Sequence, residues 1–135
     1  NEFGVIVGLV HIYVPFMVLT LVGVIGRIDR TLEEAARGLG ASRLKSFLEV
    51  TLPLSLPGIL AGSLLVFALA ISAYVTPVML GGAQVRTMPV LVVQNLIDNF
   101  QWPMGAALAL VLAITGMVLV WVYARFTGAL MRGVQ

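Results

Sequence analysis

Three stretches of about twenty residues without a formal charge dominate this chain of 135 residues, and they restrict its fold more than any other feature. Residues 5–25 (VIVGLVHIYVPFMVLTLVGVI) number 21, which at about 1.5 Å per helical residue covers the roughly 30 Å hydrocarbon core of a bilayer. Residues 58–80 and 105–124 repeat the pattern. In lipid, a single segment satisfies all its backbone N–H and C=O groups only as a helix, so three transmembrane helices are expected. The composition agrees: 60% of residues are hydrophobic, 10% are charged, and mean hydropathy is +1.06. That balance excludes a soluble globular domain and a disordered chain. The expected fold class is all-α, a polytopic membrane helical bundle.

Charge placement gives the expected topology. Arg27, Arg30, Arg37, Arg43 and Lys45 lie between the first two spans, Arg125 and Arg132 follow the third, and Arg86 alone lies elsewhere. By the positive-inside tendency, the 26–56 loop and the C-terminus face the cytoplasm, and the N-terminus and the 81–104 connection face outward. The basic residues thus report topology rather than a nucleic-acid partner. The chain enters its first span almost at once after Asn1-Glu2-Phe3, and a C-terminal fragment of a larger membrane protein is expected, with 1–135 as part of one transmembrane domain.

The 26–56 loop holds nine of the charged residues and reads as two short helices. Thr31 and Glu34 have the spacing of a capping box, and Leu32, Ala35, Ala36 and Leu39 recur on one face. Gly40 stops this helix, Ser42 caps the next, Leu44, Phe47 and Leu48 form its apolar side, and Pro53 ends it, with Pro57 at the mouth of the second span. Such a helix-turn-helix knob, fixed to two membrane helices, can transmit force. An interfacial amphipathic hairpin is the alternative, and the small Ala35-Ala36 face argues against it by offering little lipid-binding area.

Glu34-Ala35-Ala36, three residues, Gly40, nine residues and Val50-Thr51-Leu52-Pro53 resemble the E-A-A-x3-G-x9-I-x-L-P signature of the inner-membrane permease subunits of binding-protein-dependent ABC importers, with valine for isoleucine. EVTLPLSLPGI at 49–59, TPVMLGG at 76–82 and WPMGAALA at 102–109 look like the spermidine/putrescine-type permeases, so the similarity covers nearly the whole chain. Ala73 stands where many polyamine-handling relatives carry an acidic residue. The resemblance implies a coupling helix that docks on a cytoplasmic ABC ATPase subunit through Glu34, Ala35, Ala36 and Gly40, with Leu52 and Pro53 fixing the loop to the next span. Glu34 also has the competing role of capping partner. The implied partners are ATPase subunits, a second permease subunit, an external solute-binding protein and the bilayer of a bacterial inner membrane. ATP and magnesium would be bound by the ATPase, with no cofactor in this chain.

The remaining polar residues yield weaker candidates. His11 lies within the first span with Tyr13 two residues on, and an intramembrane ionisable group is a candidate for a substrate pathway or for interhelical bonding. Tyr74 and Thr76, near the expected outer end of the second span, are further pathway candidates. Val93, Leu96, Ile97 and Phe100 alternate with Gln94, Asn95, Asp98 and Asn99, predicting a short external amphipathic helix opened by Pro89 and ended before Pro103. Gly4-x-x-x-Gly8 and Gly58-x-x-x-Gly62 predict close helix packing. There is no cysteine, one histidine, and no phosphate-binding Gly-x-x-x-x-Gly-Lys-Ser/Thr loop, so neither a metal site nor ATP hydrolysis is expected in this chain, which is read as a permease subunit and not an enzyme. A membrane anchor that only recruits a cytoplasmic protein is the rival reading.

Overall fold

In the computed structural model, which describes residues 1–82 and 85–132 and side chains as far as residue 128, all regular structure is helical. Ala83, Gln84 and the Arg132 side chain therefore lie outside the described part. In order, the helices are α1 (Glu2–Ile25), α2 (Arg30–Gly38), α3 (Arg43–Ser46), α4 (Leu52–Ile71), α5 (Met88–Val93) and α6 (Trp102–Arg132). Three π-helical turns complete them, at Phe47–Thr51, Pro77–Gly81 and Gln94–Asp98. Glu2–Ile25, Arg43–Ile71 and Trp102–Gly128 are each long and apolar enough to cross a membrane. Two compact units are distinguishable: Pro15–Leu65, and the segments Asn1–Val14 with Val66–Gln135.

In the first of these units, glycines set the approach of α1 and α4. A Cβ on Gly58 would stand 2.7 Å from Val24 Cγ2, and one on Gly62 would stand 2.6 Å from Met17 Sδ, so the expected small-residue contact is present at both. Pro53 does not end the second loop helix as its chemistry predicts. The helix runs from Arg43 to Ile71, with Pro53 and Pro57 inside it. The reason is the π turn at Phe47–Thr51, one residue ahead of Pro53, after which the Leu52 N–H reaches back to the Phe47 carbonyl. A proline interior to a helix leaves a carbonyl one turn earlier without its donor, and a wider turn accommodates that mismatch.

In the other unit, Tyr13 Oη donates to the Leu69 carbonyl at 3.0 Å. Thr76 and Leu80 side chains fill the space over Gly8. The expected continuous helix over 58–80 is not formed. α4 stops at Ile71, the chain is irregular through Ala73 and Tyr74, and helical structure resumes at Val75. Pro77 opens the second π turn, Pro77–Gly81. The short helix expected near 89–102 is present as Met88–Asp98, with Pro89 in its first turn. It ends at Asp98, with Asn99 as its C-cap, and packs on the start of α6, where a Cβ on Gly105 would lie 2.5 Å from Leu96. The reversal between them places Phe100 at φ +51°, a left-handed conformation uncommon for an aromatic residue.

Candidate coupling-loop site

The loop site forms within Pro15–Leu65 from α2, α3 and the π turn that follows. Asp29, not Thr31, caps α2: its carboxylate accepts from the Thr31 N–H at 2.9 Å while its own backbone is extended. The expected capping box is therefore absent, because the earlier acidic side chain reaches the free amide first. The Thr31 backbone N–H, reinforced by the Thr31 hydroxyl, holds the Asp29 carboxyl below its usual pKa. Released from capping, Glu34 is exposed.

Gly40 ends α2 at φ +92°. The Gly40 N–H donates to the Arg37 carbonyl at 3.0 Å and the Ala41 N–H to the Ala36 carbonyl at 3.1 Å. This pair of bonds is a Schellman turn, which satisfies the terminal carbonyls and fixes the exit direction. Ser42 then caps α3 as predicted, accepting from the Lys45 N–H at 3.3 Å. Ser46 is fully buried, and its hydroxyl donates to the Glu33 carbonyl at 3.4 Å, joining α3 to α2. The knob is thus held by four local devices: two caps, a glycine turn and a buried hydroxyl bridge.

Its outer surface is apolar at the turn and charged beside it. Leu39 is 91% exposed and Leu44 68% exposed. Ala35 is exposed and Ala36 half-buried, while nothing lies within 4 Å of the Gly40 Cβ position. A cleft of about 520 Å³ adjoins them, lined by Asp29, Arg30, Glu33, Glu34, Arg37 and Thr51 among others. Among the described residues the one ion pair is Lys45–Glu49, 3.9 Å apart and mostly solvent-exposed, so Arg30, Glu33, Glu34 and Arg37 of the cleft form no salt bridge there. Such a surface supplies a non-polar tip, a close-approach glycine and salt-bridge partners of both signs.

Glu34, Ala35, Ala36 and Gly40 are thus brought together on one knob. Leu52 and Pro53 sit apart from its tip, in the first turn of α4, where Leu52 also accepts a bond from the buried Ser55 hydroxyl at 2.9 Å. Of the intramembrane candidates, Tyr13 is committed to the Leu69 carbonyl, His11 is exposed, and Tyr74 and Thr76 flank the break after α4. Among the described residues no group of three His, Cys, Asp or Glu is placed to hold a metal. Sequence reasoning missed the Asp29 cap, the Ser46 bridge and the helix break. Asp29 and Thr31 are both good caps within three positions, so the choice between them was open. Ser46 has no pattern to mark it. The break had a signal, since β-branched Val75 and Thr76 precede Pro77.

Residues 1–132 match the family model described as binding-protein-dependent transport system inner membrane component. The spermidine/putrescine transport system permease protein PotB of Haemophilus influenzae is 39% identical over all 135 residues, and the chain covers 47% of that protein. PotB of Escherichia coli is 38% identical over 132 residues, which are 98% of this chain and 48% of that protein. A probable molybdenum ABC transporter permease protein of Haloferax volcanii is 40% identical over 115 residues, 85% of this chain and 41% of that one. The chain therefore spans about half the length of these relatives. With a family match that runs from the first residue through the loop to the end of α6, the chain belongs to the inner membrane components of binding-protein-dependent transport systems.

Proposed function

We propose that this chain is the part of an ATP-driven importer permease that couples a separate ATPase to a solute path. The observation that carries the reading is the rigid knob of 30–46, whose exposed Leu39, Ala35 and Gly40 turn suit a groove on another protein. Glu34, Ala35, Ala36 and Gly40 make the contact, and Leu52 and Pro53 pass the displacement into α4. Because α3, the π turn and α4 form one helical run, a push on the knob is a push on a membrane helix. The nucleotide cycle drives the exchange of access only if its states bind the knob differently.

The knob faces the cytoplasm and the 81–104 segment faces outward, in the bacterial inner membrane. A second permease subunit completes the path, an external binding protein delivers solute, and ATP with magnesium sits on the ATPase. Polyamines are the first cargo to test, since the PotB relatives are similar along almost the whole chain. His11, Tyr13, Tyr74 and Thr76 line or support the path. The molybdenum-named relative is of similar identity, so an oxyanion cargo is the competing case.

The test is co-purification of the full transporter followed by ATPase assays with and without solute-loaded binding protein. A permease yields a bound ATPase whose turnover rises with loaded binding protein. A membrane anchor yields a bound partner with no such response.

A further inference from the structure

The aromatic residues of α6 are confined to its two ends. Phe100 and Trp102 stand at its start and Trp121, Tyr123 and Phe126 toward its other end, with no aromatic residue from 103 to 120. The other two apolar stretches differ: Tyr13 and Phe16 fall inside 5–25, and Phe67 and Tyr74 inside 58–80. Trp102 and Trp121 are the two tryptophans of the chain, and each is 64% exposed. They stand 19 positions apart on one unbroken helix, a rise of about 28 Å at 1.5 Å per residue, against a hydrocarbon core of roughly 30 Å. Tryptophan and tyrosine collect at the two boundaries of that core, where an amphipathic ring has an apolar side and a wet side.

The faces of α6 are sorted by side-chain size. Gly105 and Gly116 share one face by the 3.6-residue period, and both meet protein: a Cβ on Gly105 would lie 2.5 Å from Leu96, and one on Gly116 would lie 3.5 Å from Ile71 Cδ1. Leu110, Ile114, Met117 and Trp121 recur four, three and four residues apart on the opposite face, and each is more than 60% exposed. Contacts between membrane helices favour small residues, which let backbones approach closely. Large apolar side chains gain little by leaving lipid, because its tails are as apolar as leucine. The small residues of α6 are thus spent on protein and the large ones are turned away from it.

We propose that the Leu110–Trp121 face of α6 is a lipid-facing surface of the assembled transporter, with phospholipid as its partner. Acyl chains lie against Leu110, Ile114 and Met117, and the headgroup boundaries fall at Trp102 and Trp121. α6 is then an outer wall of the transporter and not a lining of its solute path, whatever the cargo. The spacing of the tryptophans carries the choice of lipid, since a partner helix or a water-filled path sets no requirement that aromatic rings stand one hydrocarbon thickness apart.

The test is electron paramagnetic resonance of nitroxide labels in the complete transporter, reconstituted in phospholipid vesicles with the cysteines of the other subunits replaced. Labels go singly on Leu110→Cys, Ile114→Cys and Met117→Cys, on Ala107→Cys one turn ahead of them, and on Leu112→Cys of the glycine face for comparison. Oxygen, which concentrates in lipid, is expected to relax the first four labels several-fold more than the label at 112, while a water-soluble nickel chelate leaves them unaffected. The oxygen-to-nickel ratio should peak at 110 and 114, midway between the tryptophans, and fall toward 107 and 117. Low oxygen accessibility at 110, 114 and 117 means that protein covers the face, and high nickel accessibility means a water path. Either result overturns the proposal, as does a depth maximum outside 110–114. A benzophenone amino acid in place of Met117 gives a second measurement in native membranes, with no label to attach and no reconstitution. Light should join it to phospholipid, and capture of another transporter subunit overturns the proposal. Failure here leaves the permease reading intact, because neither measurement depends on which solute moves or on whether an ATPase is bound.

Discussion

Gly40 shows how one residue governs the candidate site. Its φ of +92° is a conformation that side chains rarely adopt, and the space around its Cβ position is empty. Gly40→Ala should therefore cost about 1 kcal/mol through backbone strain alone, seen as a lower Tm of the purified protein in detergent. Gly40→Asp adds bulk and charge to the proposed contact surface, and is expected to uncouple ATP hydrolysis from uptake while membrane insertion is normal. Normal uptake in vesicles would contradict the docking role. Asp29 offers a pH test. Because its carboxyl is held below the usual value by the Thr31 N–H, its contribution is complete above the unfolded carboxylate pKa and fades as pH falls through the lower folded pKa. Hydrogen exchange at Thr31 should accelerate over that acidic window, and Asp29→Asn, which keeps an acceptor but does not titrate there, should remove the pH step. Neither residue's full role was open to sequence reading alone. The Gly40 turn was legible because a glycine followed a helical period, whereas the Asp29 cap depended on which of two suitable oxygens reached the amide.

Among the elements, α4 is where proline acts in opposite ways. Pro53 and Pro57 lie within an unbroken helical run, with a π turn just ahead of Pro53, while Pro77 follows a true break. A local pattern of apolar residues and prolines cannot distinguish these outcomes, since the deciding factor is where the displaced carbonyl finds a partner. The apolar stretches themselves were legible for a simpler reason: length without charge admits only a helix in lipid. Packing of α4 on α1 within Pro15–Leu65 gives a graded prediction. The Cβ of Gly58→Ala meets Val24, a stiff β-branched side chain, at 2.7 Å, while that of Gly62→Ala meets the end of flexible Met17 at 2.6 Å. Gly58→Ala should lower stability by about 1–3 kcal/mol, and Gly62→Ala by less. Thermal unfolding of both variants in the same detergent checks the order, and equal losses would mean that Val24 yields as readily as Met17.

For the whole molecule, the helical run Arg43–Ile71 begins within the 30–46 knob and is long and apolar enough to cross a membrane. The loop motif was legible in sequence because its spacing of Glu34, Ala35, Ala36, Gly40, Leu52 and Pro53 is specific, and the surroundings of Tyr13 were not, because a contact such as Tyr13 to Leu69 depends on how spans meet. The central claim is that the knob is driven by another subunit's nucleotide cycle. The chain has no cysteine, so a single cysteine in place of exposed Leu39 gives a clean reporter. In the complete transporter, a short crosslinker at that position should capture the ATPase subunit, with a yield that changes between nucleotide-free and ATP-bound states. Crosslinking that never reaches the ATPase, or labelling of position 39 only from the external side, would contradict the account.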